Sequence, residues 1–455
     1  MKKFVASLLV LIVVGAEAQV PNKLSAADKV YGLSKFWQEV NYNFIYLDKV
    51  NRNEWDNMYK DLIIKVQQTP DDYQYYRELQ RFCAYLKDGH TNIYFPKSIE
   101  TMNTMFGDYR LFLENIGNKA IVVRTNTSKK AEVPVGSEVI EVNGKPTEQY
   151  IIENVAPYIS SSTAYVLKDG AVSRLLEGLE GDTFNIKLRT PQQKIISLHL
   201  VHKKTNEESV YPEFEKRELL DFKWYDNQLA YVSLNSFDDP KIDTLFIQKL
   251  PELYKAKGLV IDLRYNGGGN TDIGTVILQY LTNDKLLYGA KSISRLHVPT
   301  FKAWGRFAKA ADTLNDERSK KSLLSYLDKN YYYFDYSPDT VELTAPRLVV
   351  PTVILLGHRT ASAAEDFLIY ADNQSHMIKM GERSFGSTGQ PYMFDLVGGG
   401  SVRICTKKDI YPDGREFVGY GIKPDIEVIP TLEDYLHKKD PVLEKAISYL
   451  KEKVK

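Results

Sequence analysis

Two cysteines, Cys83 and Cys405, are all that a chain of 455 residues contains. So few cannot staple a disulfide scaffold, and one bridge is the most they can form. Two buried free thiols are an equally good expectation. No Cys/His spacing resembles a metal site. Net charge is missing too, because 59 basic side chains balance 59 acidic ones. A chain without cationic excess is not organised around nucleic acid or an anionic membrane surface. Beyond the first twenty residues, no apolar run approaches the roughly 20 residues that cross a bilayer. A glycine turn occurs at Gly267-Gly268-Gly269, yet no Gly-Lys-Ser/Thr follows it, which argues against a phosphate loop. Internal repeats and low-complexity tracts are absent.

The chain does begin with a recognisable pattern. Lys2 and Lys3 precede an apolar stretch, Phe4 to Val14, and then Ala16-Glu17-Ala18. These are the three parts of a secretory signal peptide, so residues 1–18 are expected to be removed on export to the periplasm or beyond the cell. Hydrophobic residues make up 43% of the chain, enough for a real core, and the length predicts two or three domains. The 31 tyrosines suit a surface that handles peptides or glycans.

Three patterns follow one another. Apolar residues recur at helical spacing in Val30, Leu33, Phe36, Val40 and Phe44, and again from Trp55 and from Tyr76. They predict a helical region over 24–105, with Gly89 as a left-handed helix terminator. Short alternating strands then predict a β-rich domain over 106–205, with a tight turn at Asn143-Gly144. From 206 to 455, apolar strands alternate with helices. That order predicts an α/β domain with a largely parallel sheet. Residues 295–346 are polar and aromatic and read as an insertion or lid.

Three signals carry chemistry. Thr360-Ala361-Ser362-Ala363-Ala364-Glu365 follows the strand Thr352 to Leu356 and opens a helix. A serine there exposes its hydroxyl at the end of the sheet, and the Ala363 N–H is placed to meet an oxyanion. Alone, the same stretch reads better as a helix cap, because serine at a helix start is common. Glycines 267–269 free backbone N–H groups to face a ligand. A nucleophilic serine also needs a base, and seven histidines are candidates: His90, His199, His202, His297, His358, His376 and His437.

Five ordered strings narrow the choice. LAYVSLNSF, KGLVIDLRYNGGG, PTVILLGHRTASAAEDF, GERSFGSTGQ and YPDGREFVGYGIKPDIEV, from Leu229 to Val428, resemble the tail-specific (C-terminal-processing) serine protease family. The resemblance implies a ClpP/crotonase-like α/β core with Ser362 as nucleophile. Glu132 to Pro146 is similar to a PDZ hairpin, which implies a PDZ-like domain that binds substrate tails. One branch of the family places a base lysine after the Phe-Gly of GERSFG; here that position is Ser387. The string Leu86-Lys87-Asp88-Gly89-His90-Thr91 resembles instead the tricorn-like and retinoid-binding-protein-like branch. That resemblance implies His90 as base and a Glu before Gly-Ile-x-Pro-Asp as its orienting carboxylate. Val418 holds the strict position, so Glu416 is the nearest candidate. Glu365 reads as structural, holding the serine loop.

The expected function is therefore an exported serine endopeptidase working through an acyl-enzyme. Its oxyanion hole would be formed by the N–H groups of Gly268 and Ala363, with no cofactor or metal required. Its expected partners are peptides or unfolded proteins. A catalytically silent peptide binder, a small-substrate esterase and a lipid or retinoid carrier are the alternatives.

Overall fold

The computed structural model describes residues 23–100, 103–104 and 107–454. The leader over residues 1–18 lies outside them. Three helices come first, Ala26–Asn43, Arg52–Gln67 and Asp72–Ala84, each begun by a polar cap: Ser25, Asn51 and Asp71. These caps satisfy N–H groups that a helix start leaves unpaired. The apolar stripes of the three helices meet at Trp55, which stacks on Phe82 at 3.8 Å with Phe36 edge-on. Their core is continuous with that of the α/β domain, because Ile45 N donates to Cys405 O and strand Asn92–Tyr94 pairs with Ser401–Cys405. The helical region is thus a wall of the α/β core and shares its interior.

The left-handed residue after the third helix is Lys87 (φ 51°), and Gly89 does not take that role. Gly89 is needed for closeness instead. A Cβ there would stand 2.6 Å from the Phe385 ring and 3.1 Å from Ser387 Cβ.

The β-rich unit is an antiparallel sheet with its own core. Asn143 and Gly144 both have positive φ (48° and 78°), as a two-residue hairpin turn requires. The last strand of this sheet, Val210–Tyr211, extends the unit past residue 205. Helix Ala164–Ser173 leans from this unit onto the catalytic loops. Tyr165 Oη donates to Ser384 O (2.6 Å), and Thr163 Oγ1 donates to Phe385 O (3.2 Å).

The α/β core is a six-stranded sheet in the order Leu220–Tyr225, Leu229–Leu234, Gly258–Asp262, Thr352–Leu356, Met377–Gly381, Ile426–Glu427. The first pair is antiparallel and the others are parallel. Strands Gly258–Asp262 and Thr352–Leu356 are buried throughout, as strands covered on both faces are. Helix Pro441–Lys453 covers one face. Residues 295–346 fold around helices Pro299–Gly305 and Glu317–Tyr326, which pack tightly where Gly305 meets Ser322. Cys83 and Cys405 are free and buried.

Arg264 anchors the end of the strand that leads into the glycine turn. Its guanidinium donates to Asp262 (2.6 Å) and to Asp440 (2.8 Å), and Asp262 is buried. Removing one partner of such a group strands a buried charge. Arg264→Ala should therefore lower unfolding free energy by roughly 3 kcal/mol, read from the urea midpoint.

Candidate active site

Ser362 lies at the C-terminal edge of the sheet, after Thr352–Leu356 and directly before helix Ala363–Ala371. Its backbone is at φ 55°, ψ −123°. An ordinary helix cap is extended with negative φ. A non-glycine residue in this region is strained by roughly 1–3 kcal/mol and persists only when its surroundings hold it. The holding contacts are visible. Ala361 N donates to Asn266 O (3.0 Å), Thr360 Oγ1 donates to Leu263 O (2.9 Å), and Ser362 N donates to Glu365 Oε2 (3.0 Å).

Glu365 is fully buried and ties the serine to a second loop. Its Oε1 accepts from Ser384 Oγ (2.5 Å) and Gly386 N (2.7 Å), and its Oε2 also accepts from Ser387 N (3.3 Å). Burial pushes its carboxyl up to about 8, against the pull of these donors. Glu365 thus holds the serine loop, as its sequence context suggests.

Ser387 faces His90. Its Oγ stands 2.7 Å from His90 Nδ1 and 3.4 Å from Asp88 Oδ1. His90 is 8% exposed, and burial, helped by Arg403 and Lys407, lowers its pKa to about 4. The imidazole is therefore neutral at ordinary pH, as a general base must be. The described side-chain hydrogen bond of His90 runs to Ser387, and none runs to Ser362.

Two other expected residues are placed differently. The Glu416 carboxylate sits in a partly exposed ion-pair cluster with Lys49 (3.5 Å) and Lys408. It is not brought to His90, because two lysines draw it to the surface. Gly268 does lie against Ser362: a Cβ there would be 2.7 Å from Ser362 Cβ and 3.0 Å from Ala363 N. Its own N–H, however, donates to Asn266 Oδ1 (2.9 Å). Ala363 N is the first N–H of the helix, one that helical geometry leaves without an intrahelical acceptor.

His358 is turned away from the serine. Its Nδ1 meets Asp169 Oδ2 at 2.6 Å, and its ring stacks on Tyr165. Burial pulls its pKa down, but Asp169 and Glu382 hold it above the ordinary value. One turn beyond Ser362 lies a buried polar cluster. Asp366 accepts from Thr271 (2.6 Å), while Asp409 is bound by Ser292 (2.6 Å), Thr388 (3.2 Å) and Lys407 (3.1 Å).

The family model for Peptidase family S41 matches residues 228–428, the stretch that carries the serine turn and the glycine turn. Over those residues the chain is similar to peptidase family S41. The chain is 22% identical over 428 residues to the carboxyl-terminal-processing protease of Picosynechococcus sp., covering 93% of this chain and 88% of that one. It is 22% identical over 441 residues to the carboxy-terminal processing protease CtpA of Bacillus subtilis, covering 95% and 76%. Its fold is similar to that of mature CPAF, with a TM-score of 0.64 at 13% identity, covering 94% and 97% of the two chains. The names of these relatives support a serine-type peptidase, and the mixed α/β fold described above is shared with mature CPAF.

Sequence reasoning missed two contacts of this candidate site. Asp88 stands two residues before His90 and was visible in the string, yet only the histidine drew a role. Ser387 was noted as the place of a missing lysine, and its approach to His90 bridges 297 residues.

The strain at Ser362 has a measurable consequence. Ser362→Gly should abolish hydrolysis and yet stabilise the fold by about 1 kcal/mol, since glycine adopts positive φ without a Cβ penalty. A denaturant midpoint no higher than that of wild type would show that the backbone is not strained.

Proposed function

We propose that this chain is an exported serine endopeptidase, with Ser362 as nucleophile and His90 as general base. One observation carries the reading: Glu365 Oε2 accepts both Ser362 N–H and Ser387 N–H, while Ser387 Oγ touches His90. Nucleophile and candidate base are thus tied through one anchor atom and one hydroxyl.

In the proposed reaction, His90 takes the hydroxyl proton as Ser362 Oγ attacks a peptide carbonyl. The tetrahedral oxyanion is met by Ala363 N–H, strengthened by the helix start. Gly268 N–H joins it when that amide turns from Asn266 towards the site. His90 returns its proton to the leaving amine, and water, activated by the same ring, releases the acyl group from Ser362. The substrates are peptides or unfolded proteins, in keeping with the processing proteases it resembles. The leader pattern at residues 1–18 supports export. Among the described residues no helix is long and apolar enough to cross a membrane. The hairpin at Asn143-Gly144 supports a PDZ-like reading of the β-rich unit, and the two helices within 295–346 support its reading as a lid.

The mature chain should cleave casein and take a fluorophosphonate label at Ser362, and Ser362→Ala and His90→Ala should lose both. Labelling of His90→Ala at the wild-type rate would overturn the assignment of the base. The pH dependence follows from His90. A base acts only when deprotonated, and its pKa is lowered from 6.5 to about 4. The acid limb of kcat/KM should therefore lie near pH 4. A limb near pH 8 would place control with the Glu365 carboxyl.

A further inference from the structure

The environment of His90 presents a difficulty for the proposed mechanism. In taking a proton, the ring becomes a cation. The charged groups that face it from other elements are Arg403, on strand Ser401–Cys405, and Lys407, on strand Lys407–Ile410. Both oppose that cation. Glu416 is engaged elsewhere by Lys49 and Lys408. The carboxylate on the histidine's own loop is Asp88, which reaches the ring only through a hydroxyl.

Asp88 is 2% exposed and sits in a ring of donors. Thr91 Oγ1 donates to its Oδ2 at 2.6 Å, and Ser162 Oγ donates to its Oδ1 at 3.3 Å. The Ser162 hydroxyl is itself oriented, since it accepts the Gly89 N–H at 2.9 Å. Burial raises the Asp88 carboxyl above its usual range, and hydrogen bonds from Thr91, His90 N–H, Ser162 and Ser387 offset only part of that rise. Donors on every side suit the ionised, acceptor-only form.

That form settles the direction of the Ser387 hydroxyl. A serine has one hydrogen to give. If it goes to Asp88 Oδ1, then Ser387 Oγ must accept from His90, so Nδ1 carries the ring proton and Nε2 holds a free lone pair. If the hydrogen went to Nδ1, the ring proton would sit on Nε2 and block the only other basic position. An ionised Asp88 therefore selects the base-competent tautomer.

We infer that Asp88 and Ser387 form a relay that fixes His90 as its Nδ1–H tautomer and offsets the charge on the imidazolium. Both are positioning residues acting through His90. The inference rests on the Ser362–His90 reading. Ser387 occupies the place where a relative with a Ser-Lys site carries its lysine, so a hydroxyl that supports a histidine stands where that branch has an amine base. Gly89 makes the contact possible, because any side chain there would collide with Phe385 and press on Ser387.

The test uses the full mature chain labelled with 15N-histidine, with His90→Gln to assign the His90 signals. The wild-type ring should show Nδ1–H, and an Nε2–H ring would overturn the relay without any variant. Ser387→Ala should lower kcat on casein-derived peptides by at least roughly 10²-fold. That is less than the about 10⁴-fold lost where a carboxylate touches the base directly. KM should stay near wild type, the fluorophosphonate labelling of Ser362 should slow in step, and the His90 signals should move towards a tautomer mixture. Asp88→Asn should do the same, and Ser387→Thr, which keeps the hydroxyl, should recover most of the rate. If Asp88→Asn fails to fold, Ser387→Ala and the wild-type tautomer decide the matter. Wild-type rate and pH profile in Ser387→Ala, with His90→Ala inactive, would sink the relay and leave the Ser-His reading intact. Full labelling of His90→Ala would sink both.

Discussion

At the centre of the site, four donors from two loops converge on one buried carboxylate. Ser384 Oγ and Gly386 N reach one oxygen of Glu365, and Ser362 N and Ser387 N reach the other. A carboxylate without solvent is costly unless its lone pairs are filled. Filling them forces the strand-to-helix turn at Ser362 and the loop at 384–387 into one arrangement. The positive φ of Ser362 is tolerable because this anchor, the Asn266 carbonyl and the Thr360 hydroxyl hold the chain on both sides. Ser387 then lies where His90 can meet it.

Other structural features serve the same constraint. The Arg264 clamp between Asp262 and Asp440 fixes the strand end from which the glycine turn begins. Asn266 occupies the turn itself, donating to Leu234 O and accepting from Gly268 N. The β-rich unit contributes from outside, since Tyr165 and Thr163 bind carbonyls of Ser384 and Phe385, and Ser162 binds Gly89. The active loops are therefore held by two cores rather than one.

Much of this was legible in the sequence because it is local. The helix stripes around Val40 and Trp55, the Asn143-Gly144 turn and the buried strands flanking Ser362 are set by periodicity and turn chemistry within a few residues. The Ser362 turn was legible as a candidate, but its backbone strain was not, because strain depends on contacts from Asn266 and Glu365. Glu416 was misplaced for the same reason. It was chosen as the nearest acid to the strict position held by Val418, and its carboxylate pairs with Lys408 and with Lys49, 367 residues away. Gly89 looked like a helix terminator because the rule for helix ends is local. The collision that requires a glycine there comes from Phe385, across the fold.

The contact between His90 and Ser387 spans 297 residues, and the histidine loop comes first in the chain. A chain interrupted between the serine turn and the strand Ser401–Cys405 would own that turn and yet lack the partner strand that seats residues 92–94 beside the histidine. The loops that meet at Ser387 therefore come from opposite ends of the chain, and their meeting waits on the fold as a whole.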